Sequence, residues 1–443
     1  VPSLYFAEAV PYAIVMTVSV ILYKRLGIDN ATIAFATSWL YLPWVVKPLW
    51  SPFVDLFGTK RRWITAMQLP LGAALALVAF ALPLPGAFPL TLAVFWLMAF
   101  LSATHDIAAD GFYLLALDEG SQAAFVGVRT TFYRIAMIAA QGGLVWFAGK
   151  IEAAGLLATA EADVRLAWSL AFGGLSALFL GLFLWHRFAL PRPAADAPGK
   201  RRPAREVLRE FGAVFVRFFA KPRIGAVIAF LLLYRFAEAQ LVKLVSPFLL
   251  DPRAEGGLAL STSEVGLAYG TVGLGALMAG GILGGIAVSR RGLRFWLWPM
   301  VVAINVPNLL YLWLANAQPD RFLVVCASVG LEQFGYGFGF TAYVMFMILV
   351  SEGPHRTAHY ALCTGFMALG MMLPGMWSGG LQERIGYPHF FLWVAAATIP
   401  CFLVTLLVRI PAGFGRKKAA RQEGRALPLP QTGIGEDRDP PEE

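Results

Sequence analysis

Long apolar runs, broken by short clusters of Gly, Pro and charge, set the pattern of this chain. A helix needs roughly 20 apolar residues to cross a bilayer. With the clusters taken as loops, the runs predict helical spans near residues 3–23, 31–54, 63–83, 88–113, 123–149 and 166–188. A second set follows near 223–250, 262–288, 295–315, 321–349, 358–382 and 388–409. The expected fold class is an all-α membrane protein with twelve transmembrane helices.

Between the two sets the apolar pattern fails. The stretch from Pro191 to Arg223 opens basic and Pro-rich, then carries apolar residues at helical spacing from Arg205 onward. That second part predicts an amphipathic helix on the membrane surface. Four regions are expected: a six-helix bundle over 1–190, a basic linker over 191–222, a second six-helix bundle over 223–410, and a tail over 411–443. The tail turns Pro-rich and acidic toward its end, which predicts disorder.

The two halves correspond. Phe6-Ala-Glu-Ala9 recurs as Phe236-Ala-Glu-Ala239, which predicts Glu8 and Glu238 at matching depth in the first and seventh spans. The basic stretch Asp55 to Trp63 after the second span has a counterpart, Ser289 to Trp296, after the eighth. Two six-helix halves related by a pseudo-twofold along the membrane normal, with a long central loop, describe the major facilitator architecture. Gly280, Gly281, Gly284 and Gly285, and Gly335, Gly337 and Gly339, are spaced for close helix approach. No Gly-Lys-Ser/Thr follows them, so neither run is a phosphate loop and ATP-driven transport is not expected.

Composition narrows the class. At 58% hydrophobic and 14% charged residues, the 443-residue chain lacks the charge that a soluble surface of this size needs. The net charge of +9 is topological: 24 of the 36 Lys and Arg fall on one set of alternate loops and both ends. The positive-inside rule makes that side cytoplasmic, so nucleic acid is not an expected partner. Cys326, Cys363 and Cys401 stand singly within spans, which indicates neither a zinc site nor a disulfide framework. The chain opens at Val1 with no cleavable signal, and a short cytoplasmic leader before it is expected.

Ionisable residues inside spans are the candidate functional groups, because their burial in lipid is costly. Thr104-His105-Asp106-Ile-Ala-Ala-Asp110 is the densest polar cluster, with Asp106 and Asp110 one turn apart on one face. Two such carboxylates repel and favour holding a proton, and His105 is placed to assist. Lys47, Arg129, Arg134, Arg235 and Lys243 are the basic residues within spans, and pairing with Glu8, Asp106, Asp110, Glu238 and Glu332 would nearly neutralise a shared cavity. Arg134 is the expected anchor for an anionic substrate group, since a guanidinium matches a carboxylate fork. Tyr133, Gln333 and Tyr336 are further substrate-binding candidates beside ionisable groups, with Glu8, Glu238 and Glu332 lining the cavity. Lys47, Asp55 and Arg129 are gating candidates, although Lys47 and Lys243 are also long enough to snorkel. His355 and His359, four apart, lack a third ligand, so no metal site is expected. Asn30-Ala-Thr32 reads as a helix N-cap before the second span.

These residues resemble a family. Lys47-Pro-Leu-Trp-Ser-Pro-Phe-Val-Asp55 with Lys60-Arg-Arg-Trp63 is similar to the second-span signature of the AmpG-type permeases, major facilitator proteins that import anhydromuropeptides for cell-wall recycling. Ser102-Ala-Thr-His-Asp106-Ile-Ala-Ala-Asp110-Gly resembles their fourth-span pattern, and Tyr133-Arg134 a Tyr-Arg pair in the fifth. Glu332 to Tyr343 resembles the tenth span, and Gln382 a Gly-rich end of the eleventh. His105 stands where the family carries Gln, and Glu8 is an addition. The resemblance implies proton-driven uptake of an amino-sugar-containing solute across a bacterial inner membrane.

The expected function is thus a secondary active, proton-coupled importer acting as a monomer, with protons, membrane lipid and a small-molecule substrate as partners and no cofactor. The alternatives are a major facilitator importer of another saccharide or organic anion, a channel, or a polytopic membrane enzyme. No loop exceeds about 35 residues and no Ser/His/Asp array is present, which disfavours the enzyme.

Overall fold

A computed structural model describes residues 1–117, 119–194, 196, 204–353 and 355–416. Side chains at 55–56, 119–124, 126–127, 204–208 and 210–211 are not among those described. The first half contains α1 (Pro2–Arg25), α2 (Asn30–Trp39), α3 (Leu42–Leu56), α4 (Lys60–Ala81), α5 (Ala87–Ala116), α6 (Glu119–Ile138), α7 (Val145–Ala154) and α8 (Ala160–Ala189). After the linker helix α9 (Ala204–Phe219) come α10 (Ile224–Leu250), α11 (Thr262–Arg291), α12 (Leu293–Ala317), α13 (Phe322–Ser351), α14 (Arg356–Ala396) and α15 (Ile399–Leu407). Among the described residues, nine helical runs are long and apolar enough to cross a membrane. The last of these, Arg356–Leu407, is divided at Gly386, where φ is 74°.

Local chemistry explains the starts. Side-chain oxygens of Asp29, Thr59 and Thr159 accept from the backbone N–H of Thr32, Arg62 and Ala162, and Ser261 with Glu264 forms a capping box at α11. The cap of α2 is therefore Asp29 and not Asn30. Asn30 already sits in the helix and turns its amide toward the other half.

Exposed apolar side chains such as Phe80, Phe188 and Leu323 clothe the outside, as expected for a surface facing lipid. On α9, Phe218 is fully buried and packs on Phe366 of α14, while Val216 stays exposed. The tail expected over 411–443 is docked at its start, where the Phe414 carbonyl accepts from Leu293 N–H at 2.9 Å. Its remainder from 417, like linker residues 195 and 197–203, lies outside the described residues.

Two features were not predicted. α10 is interrupted at Tyr234–Arg235, between helical stretches Ile224–Leu233 and Phe236–Leu250. Wide π-turns occupy Ile14–Val18, Ala139–Leu144 and Ala268–Gly273. At the last two the helices pack backbone on backbone, for a Cβ on Gly270 would strike the Gln141 carbonyl.

The core is asymmetric along the membrane normal. The end carrying Val1 and Arg416 is called near, and the end carrying Lys24 and Asp251 far. One continuous cluster joins both halves toward the far end, with Ile14, Tyr41, Leu244, Val265 and Tyr269 among its members. Toward the near end the halves have separate cores, one around Leu4, Ile64 and Phe112, the other around Phe230, Leu297 and Phe346. The halves share one core toward the far end and have separate cores toward the near end, where α3 and α14 still approach at Val45 and Gly365.

Candidate functional site: a charged cleft between two helical halves

Toward the near end the first half carries a cluster of three carboxylates, Glu8 buried and Asp106 and Asp110 partly exposed. Oxygens of Glu8, Asp106 and Asp110 all lie within 4.8 Å of one another. Asp106 and Asp110 share a face of α5, and α1 brings Glu8 against them. Lys47 of α3 pairs with Asp106, and Arg129 of α6 pairs with Asp110 at 2.6 Å. Tyr5 donates to Asp110 at 3.1 Å, and the Arg129 guanidinium lies 4.4 Å from the Tyr5 ring centre. Three acids thus face two bases. Glu8 is 6% exposed, and its Oε2 has no hydrogen-bond partner among the described residues. It lies within hydrogen-bonding reach of Asp106. Like charges this close in a poorly polarisable site repel one another. This is also the grouping among the described residues that offers metal-ligand geometry, but Asp106 and Asp110 are already committed to Lys47 and Arg129.

His105 does not join this cluster. It is 1% exposed and faces α4 and α8, where Gln68 donates to its Nε2 at 3.0 Å. The same Gln68 accepts from His186 Nδ1 at 3.0 Å, and His186 Nε2 accepts from Ser3 at 2.9 Å. Adjacent positions on a helix point about 100° apart, which separates His105 from Asp106.

Glu8 and Glu238 are not at matching depth. Glu8 is level with Lys47 and Asp110 near the cleft mouth, whereas Glu238 lies deeper, beside Tyr41 at the break between α2 and α3. The repeated tetrapeptide holds a sequence relation without a common level.

A second group lies in the middle of the protein and draws on both halves. The break in α10 projects Arg235, which donates to the Tyr336 hydroxyl and lies about 5 Å from the Tyr336 and Phe340 ring centres. Glu238 follows one turn later, buried, with Oε2 unpartnered among the described residues. Tyr12, Tyr133 and Tyr336 lie within electrostatic reach of Arg134. Arg134 has no hydrogen-bond or ion-pair partner among the described residues. Tyr41 faces Arg235, Tyr336 and Glu238 across the divide. Deeper in the second half, Glu332 accepts from Tyr311 at 3.2 Å and from Gln333 at 3.0 Å, leaving Oε1 unpartnered among the described residues. Lys243 does not snorkel: it is buried, donates to Thr37 of α2 at 2.9 Å and sits 5.2 Å from the Tyr41 ring. Nor does Lys47, which its partner Asp106 holds inside. The side chain of Asp55 lies outside the described residues.

Tyr12 and Tyr41 were not singled out as site residues, and Arg235 was placed among the basic residues of the cavity without a role of its own. The three-residue spacing of Arg235 and Glu238 puts them on one helical face, which was a usable signal. Nothing in the sequence aimed the two tyrosines inward.

A model of the BT1 family matches residues 12–194. The anhydromuropeptide permease of Escherichia coli (strain K12) is 26% identical over 389 residues, covering 86% of this chain and 74% of that protein. A Rickettsia conorii protein designated AmpG 4 is 26% identical over 416 residues, covering 90% of this chain and 93% of its own. The chain is thus similar, over most of its length, to proteins named as anhydromuropeptide permease or AmpG. Among solved structures, a D-xylose-proton symporter superposes with TM-score 0.68 at 11% identity, over 94% of this chain and 97% of that one. The nucleoside transporter NupG does so with TM-score 0.63 at 15% identity, over 93% and 98%. The fold is that of the major facilitator carriers, and these relatives and neighbours are permeases or transporters rather than enzymes.

Proposed function

We propose that this protein is a proton-coupled secondary importer of an amino-sugar-containing solute such as an anhydromuropeptide, working by alternating access in a bacterial inner membrane. The observation that carries the reading is the pairing of two unlike sites in one cleft. One holds a cluster of three acids against two bases, and the other a guanidinium with no partner among the described residues, near tyrosines of both halves. The name borne by the Escherichia coli relative supplies the solute class.

The roles follow from the chemistry. Glu8 carries the exchangeable proton, while Asp106 and Asp110 hold Lys47 and Arg129 as countercharges. Arrival or loss of that proton changes the charge of the cleft mouth by one unit, enough to bias an equilibrium between two packings. Arg134 binds a carboxylate of the solute, Arg235 and Glu238 its polar groups, and Tyr12, Tyr41 and Tyr336 offer flat faces to the sugar. Gln333 orients Glu332 at the deep end. We assign both termini to the cytoplasm from the loop charge, which makes the sealed far side periplasmic and the described state inward-open. Twelve spans in two six-helix halves, over 1–190 and 223–410, working as a monomer, complete the reading.

The test is counterflow and gradient-driven uptake of radiolabelled anhydromuropeptide by purified protein in vesicles. Uptake that rises with an inward proton gradient supports the reading; uptake indifferent to the gradient overturns the coupling, and failure of counterflow overturns the solute class.

A further inference from the structure

Three helix termini at the near end leave a cavity of about 390 Å³ that the transport cleft does not use. The start of α10, the end of α13 and the segment following α15 form its walls. Phe346, Leu349, Val350 and Leu407, with Ala226 and Val227, give it an apolar floor. Lys221, Arg223 and Arg409 bring three cations to the rim against one carboxylate, that of Glu352.

The rim is held in place. Lys221 Nζ donates to the Val350 carbonyl, and to that of Glu352 at 3.2 Å, so the loop before α10 is tied to the end of α13. Arg223 adopts φ 58° there, a left-handed conformation that few side chains take up without tertiary support. On the other side Ile410 is buried and the Phe414 carbonyl is bonded to Leu293, which anchors the segment carrying Arg409. Lys221 is thereby engaged. Arg223 and Arg409 are exposed and have no hydrogen-bond or ion-pair partner among the described residues.

We propose that this cavity binds an anionic glycerophospholipid, its phosphate held by Arg223 and Arg409 and an acyl chain laid over Phe346, Leu349 and Leu407. Level and composition both select the lipid. The cavity sits where membrane-crossing helices end, which is headgroup depth, and basic pockets between such helices suit anionic headgroups. Leu406 and Leu407, 68% and 52% exposed, continue the floor outward onto the lipid-facing surface. A free phosphate would leave that floor bare.

The experiment measures the melting temperature of the purified full-length protein in detergent as dioleoylphosphatidylglycerol is added. Dioleoylphosphatidylcholine and inorganic phosphate serve as separate controls. The expected result is a saturable upward shift with the phosphatidylglycerol alone. The variant R223Q/R409Q is expected to melt like the parent without lipid and to need about tenfold or more of the lipid for the same shift. Equal shifts with phosphatidylcholine, or a double variant that responds like the parent, overturn the site. An equal shift with inorganic phosphate overturns the lipid as its occupant. A response that appears only after deletion of 417–443 makes the acidic tail the occupant and likewise overturns it. If the double variant fails to fold, native mass spectrometry of the parent with equimolar phosphatidylglycerol and phosphatidylcholine decides: preferential retention of the anionic lipid supports the proposal, and equal retention overturns it.

Discussion

Asn30 donates its side-chain amide to Gln382 across 2.7 Å, joining the start of α2 to the part of α14 just before its break at Gly386, over 352 positions of sequence. The same amide reaches the Tyr387 hydroxyl at 3.0 Å, which in turn donates to Asp251 at 2.6 Å, and Asp251 pairs with Lys24 at 2.6 Å. Beside them Glu383 accepts from the Ala31 backbone, and Glu152 accepts from Thr262 at 2.6 Å. All of these bonds except that between Tyr387 and Asp251 cross between the halves, all at the far end, and no sequence motif announced them.

Breaking this seal exposes the far side. Asn30→Leu leaves Gln382 and Tyr387 short of a buried donor, a loss of about 1–3 kcal/mol. A cysteine placed at buried Ser38 is expected to react faster with an impermeant maleimide from the far side in the Asn30→Leu background than in the parent. Unchanged labelling would mean that the latch does not hold the seal.

Close helix contact makes a second test. Replacing a helical glycine by a larger residue ordinarily favours the helix by up to about 1 kcal/mol. At Gly379 a Cβ would collide with the Asn30 carbonyl, so overpacking of about 1–3 kcal/mol decides the sign. Gly379→Val is expected to lower the melting temperature, whereas Gly174→Ala, with open space around it, is expected not to.

The acid cluster separates coupling from binding. Glu8→Gln mimics the protonated carboxyl, so gradient-driven uptake is expected to vanish while solute exchange continues. Asp106→Asn strands Lys47 and is expected to destabilise the protein, and Lys47→Met with Asp106→Leu to restore the melting temperature without restoring uptake. Exchange lost in Glu8→Gln would move Glu8 to solute binding.

Arg134→Gln removes a charge-assisted contact of about 1.5–3 kcal/mol, or roughly 10–100-fold in apparent affinity. Arg134→Lys is expected to recover part of this, because the charge returns without the planar fork. Measured KM values for uptake check both, and an unchanged KM removes Arg134 from the site.

His105→Gln is expected to keep its dependence on the proton gradient, since His105 is bonded to Gln68 and turned from the cleft. Gln68→Leu, which leaves two buried imidazoles unsatisfied, is expected to cost stability instead. Loss of coupling in His105→Gln would reinstate the imidazole as a proton carrier.

The sequence by itself determined the membrane class, the helical runs and the two-half architecture, because each follows from local hydropathy and the cost of an unpaired backbone in lipid. It also picked out the ionisable side chains in spans, since composition alone marks them as anomalous. Their partners were a different matter. Whether Glu8 meets Asp106 or Glu238, whether His105 turns to the cleft or to Gln68, and which end Asn30 seals depend on helix rotation and depth. Those are set by packing between segments hundreds of residues apart, such as the glycine contacts and the break at Arg235. One-dimensional pattern carries no term for them, and only the tertiary structure decided.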